Sequence, residues 1–588
     1  MSERVFPVRT SSNLFGKVSE TIARAPGRVL FVSPETNEQL TRREFANRAQ
    51  ALAYALRPLV IARRPVGMLM GNRLEFFLCD FATLLAGGVP VSIYPTSSPE
   101  QIAELIVDAD LRLIFVDSPR LASLRQALNV VPPRDMLVIL TDCSSADPMR
   151  AEWICLEDLM KSQGAVLLGD ADAECTQDDL VTIIYTSGTT GAPKGVPLTH
   201  ASVLAAVDSM AAGIGLKEGD DVISYLPHAH VAERTLHYYC ALALGLRVTV
   251  CADSTRLAEV LRDVEPAWLA AVPRFWERLR EAALARLQAR AESDGWSLQE
   301  ALMDGLGFHG TREARGLPDT ELERRHRLAE EAHWYPLRQA LGLSKVRSVN
   351  TGGTPTPPHV LQFFAAIGLP LLQLYGMSET CACGTMETVG SSRLGSVGMP
   401  SSGMELQIAM DGEILLRGRP VFGGYWNASV QAVRDDGWFA TGDLGHIDAD
   451  GFLWVSGRKK DIIINSSGHN MSAHRIEAVL REEVPQLAYA VVIGDGRPFN
   501  TALLVFEACG DYDMDALVQS AVGQANARLA RVEQIKRFRI VRRTWNPGSE
   551  ELTPTMKLRR ASINAKYARD IEAMYARLCD DSQFLEPS

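Results

Sequence analysis

The chain has 588 residues, of which 46% are hydrophobic and 22% charged, and 60 basic against 71 acidic residues give a net charge of −11. That length exceeds what one hydrophobic core organises, and the composition is typical of globular proteins rather than disordered or membrane proteins. The acidic balance argues against nucleic acid as a partner, because phosphate contacts require clustered Lys and Arg.

Short apolar, β-branched segments alternate with longer helical patterns along the first part of the chain. In chain order the sequence predicts a helix at 41–56, a strand at 111–116, a strand at 181–185, a helix at 200–212 and a strand at 247–251. This alternation is typical of an α/β fold with mostly parallel sheets in several layers. From about 274 to 341 the chain is helical and rich in Arg and Glu, which predicts a solvated helical insertion.

The segment 360–378 contains no Asp, Glu, Lys or Arg and therefore has to be tested as a membrane span. It contains Gln362, Pro370 and Gln373, which would place a helix breaker and two amides in hydrocarbon. We interpret it as an amphipathic helix followed by a strand at 370–375. The sequence thus predicts no transmembrane segment, while peripheral contact with a membrane stays open.

The pattern changes near residue 460, after a turn-rich stretch. Charged helices at 476–483 and 514–532 flank strands at 490–493 and 502–505, which is the pattern of a small α+β domain. We therefore predict an N-terminal core over 1–459 and a C-terminal domain over 460–588.

The ten cysteines show no CxxC and no metal-ligand spacing. This usage predicts unpaired, buried cysteines in a reducing compartment, with packing as the role of Cys381 and Cys383 and a metal or redox role as the alternative. Neither end of the sequence carries a targeting signal, so the expected location is cytoplasmic.

The clearest chemical signal is the segment 185–195, Tyr-Thr-Ser-Gly-Thr-Thr-Gly-Ala-Pro-Lys-Gly, between a predicted strand and a predicted helix. Its glycines leave backbone N–H groups exposed, its hydroxyls add hydrogen-bond donors and its lysine adds a positive charge. Together these groups favour polyphosphate binding. It is not a Walker A loop, and a surface hairpin is the less favoured alternative. The predicted phosphate ligands are Thr186, Ser187, Gly188, Thr189, Thr190 and Lys194.

This segment resembles the phosphate-binding signature of the adenylate-forming superfamily, which includes acyl-CoA synthetases, luciferases and the adenylation domains of peptide synthetases. Five further segments resemble the other signatures of that family and occur in the same order, at 352–355, 375–380, 437–443, 457–461 and 552–558. The resemblance implies a large N-terminal domain and a mobile C-terminal lid.

In the N-terminal part, the resemblance implies the residues around adenine and the reacting phosphates. Those expected at adenine are Gly353, Thr354, Pro355, Tyr375 and Gly376. Ser378 is expected at the α-phosphate. Glu379 is expected to hold Mg²⁺, with Thr186 as a second metal-contacting residue.

Further along the chain, the resemblance implies a ribose clamp at the end of the N-terminal core, then a hinge and a catalytic lysine. Asp443 is expected to accept hydrogen bonds from the ribose hydroxyls, with Arg458 beside it. Lys460 is the expected pivot, and Lys557 is the expected catalytic lysine. Gly468 would allow close approach of a pantetheine arm.

The segments 225–234 and 272–277 are similar to those of long-chain fatty acyl-CoA synthetases. The similarity places His230 at the acyl carboxylate, with a hydrogen-bonded structural histidine as the alternative. It implies ATP-dependent, AMP-forming activation of a medium- or long-chain fatty acid and transfer to coenzyme A, with Mg²⁺ as cofactor and ATP and coenzyme A as co-substrates.

Two other functions stay open. The run Gly-His-Asn-Met-Ser-Ala at 468–473 lacks the proline common in long-chain members, so an acyl carrier protein is the alternative acceptor. A nucleotide-binding pseudoenzyme or scaffold is the alternative of another class. Retention of Glu379, Asp443 and Lys557 argues against it, because nucleotide binding alone does not require all three.

Overall fold

In a computed structural model, the described part of the chain runs from residue 12 to 576. It omits 133, 144–152, 162–174, 187–192, 314–319, 430, 485–486, 507–513, 547 and 554–555. The chain divides into a larger unit and a smaller one. The larger comprises 1–356, 360–405 and 416–439, and the smaller comprises 357–359, 406–415 and 440–588.

The first part of the larger unit alternates helices with short buried strands. In chain order these elements are α1 (Leu14–Arg24), β1 (Val29–Ser33), β2 (Glu38–Thr41), α2 (Arg42–Leu56), β3 (Pro65–Leu69), α3 (Leu74–Leu85), β4 (Val89–Ser92), α4 (Pro99–Asp108), β5 (Leu113–Val116), α5 (Ser118–Val130), β6 (Leu137–Leu140), β7 (Ile154–Cys155) and α6 (Leu156–Lys161). The strands β4-β3-β5-β6-β7 form a parallel sheet in that order. Every residue of β3, β4 and β5 is buried, as expected for a parallel sheet covered on both faces.

The second part of the larger unit contains the segments with predicted chemistry. Its elements are β8 (Leu180–Thr186), β9 (Lys194–Thr199), α7 (His200–Ile214), β10 (Asp221–Ser224), a π-helix (Glu233–Tyr239), α8 (Cys240–Leu244), β11 (Arg247–Val250), α9 (Leu257–Val264), β12 (Trp268–Ala271), α10 (Pro273–Asp294), α11 (Leu298–Glu313), α12 (Thr320–Ala329), a second π-helix (Glu330–Trp334), α13 (Tyr335–Ala340), β13 (Ser348–Gly352), α14 (Pro358–Ala366), β14 (Leu371–Tyr375), β15 (Thr385–Met386) and β16 (Met399–Pro400). Two further sheets have the orders β10-β11-β1-β2 and β12-β13-β14-β15-β16, and β8 pairs with β9.

Local sequence explains where two of the predicted helices begin. Thr41 and Thr199 each accept a hydrogen bond from the backbone N–H three residues on, and that residue's side chain bonds back in a capping box. The predicted helices at 41–56 and 200–212 are therefore confirmed as α2 and α7.

The helical region 273–340 is only partly solvated, which corrects the expectation of a solvated insertion. Along α10, the buried Trp276, Leu279, Ala283 and Leu287 recur at helical spacing and join the core with β12 and α14. By contrast, α12 has no buried residue among those described. The many Arg and Glu residues lie between the apolar positions and hide that stripe in the sequence.

The uncharged segment at 360–378 forms most of α14 and all of β14, as predicted. Val360, Leu361, Phe363 and Phe364 are buried in the same core. Over the described ranges, the protein has no helix that is both long enough and apolar enough to cross a membrane.

As far as it is described, the smaller unit contains three sheets and the expected charged helices. Its elements are β17 (Met404–Ile408), β18 (Glu413–Gly418), β19 (Phe439–Ile447), β20 (Leu453–Arg458), β21 (Ile462–Ile464), β22 (Asn470–Ser472), α15 (Ala473–Glu483), β23 (Leu487–Ile493), β24 (Asn500–Phe506), α16 (Met514–Arg528), β25 (Ile535–Val541), α17 (Arg560–Lys566) and α18 (Ala568–Tyr575). The strands β17 to β20 pair in chain order. In a second sheet, β21 pairs antiparallel with β22, and in the third, β24 pairs antiparallel with β23 and parallel with β25.

One pair of cysteines contradicts the expectation that all are unpaired. Cys143 and Cys155 form a disulfide, with their Cα atoms 6.0 Å apart. The two cysteines meet because β6 and β7 pair with each other. Leu140 of β6 lies opposite Cys155 of β7, and Cys143 comes three residues after Leu140. The expectation of buried, unpaired cysteines is confirmed for Cys381 and Cys383.

Candidate active site

The predicted phosphate loop connects two antiparallel strands. Thr186 ends β8 and lies opposite Lys194, the first residue of β9, and its Oγ1 donates to the carbonyl of Lys194 at 3.4 Å. The loop residues Ser187, Gly188, Thr189 and Thr190 lie outside the described residues. Helix α7 begins only at His200, so any anion binding here depends on loop groups and Lys194, not on the helix N-terminus.

The predicted adenine segments follow two neighbouring parallel strands. Gly352, at the end of β13, lies opposite Leu374, next to the end of β14. The segments 353–355 and 375–379 therefore leave the sheet at the same edge, the position where open α/β sheets bind ligands. Gly353, Thr354 and Pro355 are exposed there. Gly353 has φ +87°, a conformation that L side chains rarely adopt.

The turn after β14 is held tightly by its own backbone. A Cβ at Gly376 would lie 2.5 Å from the carbonyl oxygen of Ala382, so only glycine fits without displacing the chain. The N–H of Ala382 donates to the carbonyl of Met377 at 2.9 Å and closes the turn. The 3₁₀ turn inside it presents Ser378 and Glu379, both partly exposed.

Tyr425, which the sequence analysis missed, connects two of the predicted site residues. Its hydroxyl donates to Glu379 Oε1 at 2.8 Å, and the Nζ of Lys194 lies 5.1 Å from the centroid of its ring. The backbone N–H of Phe422 donates to the carbonyl of Glu379 at 2.8 Å. Tyr425 therefore contacts both Glu379 and Lys194, which are 185 positions apart in the sequence.

The donor set around Glu379 fits a metal that arrives with a nucleotide. Among the described residues, no three His, Cys, Asp or Glu side chains are grouped so that they could hold a metal ion. Mg²⁺ is usually bound through one or two carboxylates together with substrate phosphates rather than by an all-protein cage. Glu379 offers such a carboxylate and Thr186 a hydroxyl.

His230 is half-buried and takes part in a local hydrogen bond. Its Nδ1 accepts from the backbone N–H of Ala232 at 3.2 Å, which is the contact expected of a structural histidine. The neighbouring His228 is 2% exposed and is stacked on Phe76, with 3.8 Å between ring centroids. Burial lowers the pKa of His228 to about 3.

A buried ion pair lies next to this segment and was not predicted. The guanidinium of Arg234 pairs with the carboxylate of Asp80 in α3, and both side chains are 0% exposed. Arg234 also donates to Tyr239 Oη at 2.7 Å and to Ser92 Oγ at 3.1 Å. Because a buried charge requires such partners, this network fixes the start of the π-helix.

In the smaller unit, the predicted ribose clamp lies on two paired strands. Asp443 of β19 lies opposite Arg458 of β20, with 2.9 Å between Oδ1 and Nε. The Asp443 side chain is 8% exposed and that of Arg458 46%. The next residue, Lys459, pairs with Asp411 at 2.6 Å and Glu413 at 3.0 Å.

The other predicted residues of the smaller unit lie in exposed turns. Lys460 is exposed in a 3₁₀ turn after β20, and Gly468 has φ +80° in the turn between β21 and β22. Lys557 is exposed, and its backbone N–H donates to Thr553 Oγ1 at 3.0 Å. Pro554 and Thr555 lie outside the described residues.

A layered α/β unit with polar turns at one sheet edge, followed by a smaller α+β unit, is the architecture of an adenylate-forming enzyme. The chain belongs to the AMP-binding enzyme family, whose model matches residues 18–426, and the model of the AMP-binding enzyme C-terminal domain matches 460–578. The predicted superfamily is therefore confirmed.

Relatives and a solved structure agree with this assignment. The chain is 33% identical over 570 residues to the long-chain-fatty-acid–CoA ligase FadD15 of Mycobacterium bovis, covering 91% of this chain and 92% of the relative. It is 39% identical over 426 residues to a putative fatty-acid–CoA ligase, fadD11, of Mycobacterium tuberculosis, covering 68% and 74%. ATP-bound MatB from Rhodopseudomonas palustris has the same fold, with a TM-score of 0.71 at 21% identity over 95% of this chain and 99% of that structure. The predicted fold class and the prediction of a ligase are confirmed.

Proposed function

We propose that this protein joins a medium- or long-chain fatty acid to coenzyme A at the expense of ATP. The acid and ATP give an acyl adenylate and pyrophosphate, and a thiol then displaces AMP. The observation that carries the chemistry is the convergence of the Glu379 carboxylate and the Lys194 ammonium on Tyr425. The fatty-acid specificity named for the two mycobacterial relatives supports the substrate class.

In the first step, the substrate carboxylate attacks the α-phosphorus of ATP and pyrophosphate leaves. This displacement needs no protein nucleophile, so catalysis consists of positioning and electrostatic stabilisation. Lys194 and the hydroxyls of its loop would bind the leaving phosphates, Ser378 the α-phosphate and Lys557 the charge that develops there. Bound through Glu379 and Thr186, Mg²⁺ would neutralise phosphate charge.

The nucleoside would be held by the adenine segments and by the ribose clamp. Tyr375 would stack on adenine, with Gly353, Thr354, Pro355 and Gly376 allowing its close approach. Asp443 would accept from the ribose hydroxyls, because a carboxylate is the acceptor that two neighbouring hydroxyls bind most strongly. Arg458 would hold that carboxylate in place through its 2.9 Å contact. His230 would lie at the acyl carboxylate.

We further propose that residues 460–588 act as a lid on the core at 1–459. Lys460 would be the pivot, since it lies in a short exposed turn between two strands. One pose would present Lys557 for adenylation. The other would present the turn at Gly468 to the pantetheine arm, where the absence of a Cβ leaves room.

The test is AMP release measured over fatty acids of increasing length, with free coenzyme A or acyl carrier protein as acceptor. The proposal predicts acid-dependent AMP release with coenzyme A and an acyl-CoA product. Glu379→Gln serves as the matched control and should release little AMP. Turnover with carrier protein alone would identify the other acceptor, and no acid-dependent turnover by folded protein would favour a pseudoenzyme.

A further inference from the structure

We propose that Tyr425 is a positioning residue for the metal–nucleotide complex, acting through Glu379 with its hydroxyl and through Lys194 with its ring. This inference rests on the proposed function, because it assigns Tyr425 to the site where ATP and its metal would bind. Tyr425 lies outside all the motifs that indicated that site in the sequence.

The hydroxyl of Tyr425 restrains the orientation of the Glu379 carboxylate. It donates to Oε1 at 2.8 Å, a bond that uses one of the about four acceptor sites of the carboxylate and restricts its rotation. The same segment also fixes the backbone of Glu379, because the N–H of Phe422 donates to its carbonyl at 2.8 Å. Hydrogen-bond partners of a ligating group commonly change metal affinity or activity by roughly 10- to 100-fold.

The ring of Tyr425 gives Lys194 a defined position. The ammonium lies 5.1 Å from the ring centroid, within the range of a cation–π interaction. Lys194 is exposed, so its long side chain would otherwise lose rotamer freedom when it binds phosphate. The backbone of this strand is held as well, since the N–H of Trp426 donates to the carbonyl of Gly195 at 2.8 Å.

Tyr425 is itself fixed by its neighbours. Its ring packs edge-on against Phe422, with 4.9 Å between centroids, and Phe422 packs in the same way against Phe439 at 5.4 Å. Two residues later, the Asn427 amide donates to the carbonyl of Asp108 at 2.7 Å. Because its neighbours hold Tyr425 in place, its hydroxyl and ring can fix the positions of the Glu379 carboxylate and the Lys194 ammonium.

The two contacts of Tyr425 can be separated by substitution. Tyr425→Phe removes the hydroxyl and keeps the ring beneath Lys194, whereas Tyr425→Leu removes both. Tyr335→Phe is the matched control, because it removes a phenol hydroxyl from an exposed residue of α13 in the same unit. Near-UV circular dichroism and thermal unfolding would verify the fold of each variant.

Electron paramagnetic resonance of Mn²⁺ with ATP, without fatty acid, would measure assembly of the metal–nucleotide complex. A nucleotide-binding assay without metal would measure the ring's contribution. We expect Tyr425→Phe to weaken Mn²⁺ binding in the complex by roughly tenfold or more, while metal-free ATP binding stays within about twofold. Tyr425→Leu should weaken both Mn²⁺ binding in the complex and metal-free ATP binding, and Tyr335→Phe should weaken neither.

A double-mutant cycle with Glu379→Gln tests whether the hydroxyl acts through that carboxylate. In the Glu379→Gln background, Tyr425→Phe should have little further effect on Mn²⁺ binding. Equal Mn²⁺ affinities of Tyr425→Phe and Tyr335→Phe, or full additivity in the cycle, would overturn the proposal. Because these readouts need no acid, failure of fatty-acid activation would be recognised separately.

Discussion

Replacement of Asp443 by Asn would test the ribose contact with little change in shape. The substitution keeps the side-chain volume and one acceptor oxygen but removes the negative charge. A hydrogen bond to a charged group contributes about 1.5 to 3 kcal/mol. Since 1.4 kcal/mol corresponds to a factor of ten, the dissociation constant for ATP should rise by roughly 10- to 150-fold.

The same substitution should leave the fold intact. Asp443 pairs with Arg458, and because the Arg458 side chain is 46% exposed while that of Asp443 is 8% exposed, we expect loss of this pair to cost about 1 kcal/mol, the upper end for exposed pairs. Thermal unfolding of Asp443→Asn should therefore stay close to that of the wild type. A large loss of ATP affinity at nearly unchanged stability would separate nucleotide binding from folding.

Isothermal titration calorimetry with ATP is the assay, and Asp411→Asn is the matched control. Asp411 is a carboxylate beside the same sheet that pairs with Lys459, so its loss also breaks an exposed ion pair. Wild-type ATP affinity in Asp443→Asn, or equal weakening in the two variants, would refute a direct contact between Asp443 and ribose.

Three further predictions concern the core and the lid. Asp80→Ala should lower the free energy of unfolding by about 3 to 5 kcal/mol, because it leaves the buried guanidinium of Arg234 unpaired, and urea titration would detect the shift; a loss under 1 kcal/mol would contradict it. His228 is held neutral in the folded state, with a pKa of about 3 against a usual value near 6.5, so its contribution to stability is complete above pH 6.5 and is lost as the pH falls. As the pH falls from 6 to 4, the free energy of unfolding of His228→Leu should therefore rise relative to that of the wild type by up to about 1.4 kcal/mol per pH unit. Urea titrations would measure it, and parallel pH profiles of the two proteins would contradict the effect of His228 protonation on stability. Lys557→Ala should slow adenylation by roughly 10²- to 10³-fold and leave thioester formation from acyl adenylate within a few-fold of wild type. Lys460→Pro should instead slow thioester formation and leave adenylation nearly unchanged. Single-turnover kinetics of each half-reaction would measure both steps, and equal slowing of both steps in each variant would contradict the two-pose lid.

Local signals predicted the helices well where caps and periodicity agree. The apolar pattern predicted α2 and α7, and the structure shows that Thr41 and Thr199 cap them; only the Thr41–Glu44 pair has the Thr-x-x-Glu spacing that marks a capping box in a sequence. The buried stripe of α10 was missed, because its apolar residues are separated by charged ones and only tertiary packing shows which face is covered. Local sequence therefore predicted that the helix exists but not how it is buried.

The candidate site was predicted only as far as its motifs extend. Glu379 and Lys194 each belong to a motif, but Tyr425 reaches Glu379 across 46 positions of sequence and carries no comparable pattern. Its place after two glycines is the one local hint of a constrained turn. The Asp80–Arg234 pair spans 154 positions, and it was missed for the same reason. Contacts of this kind depend on strand order and register, which a single sequence does not specify.

The most direct measurement of the proposed activity is exchange of labelled pyrophosphate into ATP without coenzyme A. The acyl adenylate forms before any thiol is needed, so the reverse of this step returns label to ATP whenever acid, ATP and Mg²⁺ are present. The proposed function predicts exchange that requires a medium- or long-chain fatty acid and is nearly abolished in Glu379→Gln. Absence of acid-dependent exchange from folded wild-type protein would contradict fatty-acid adenylation.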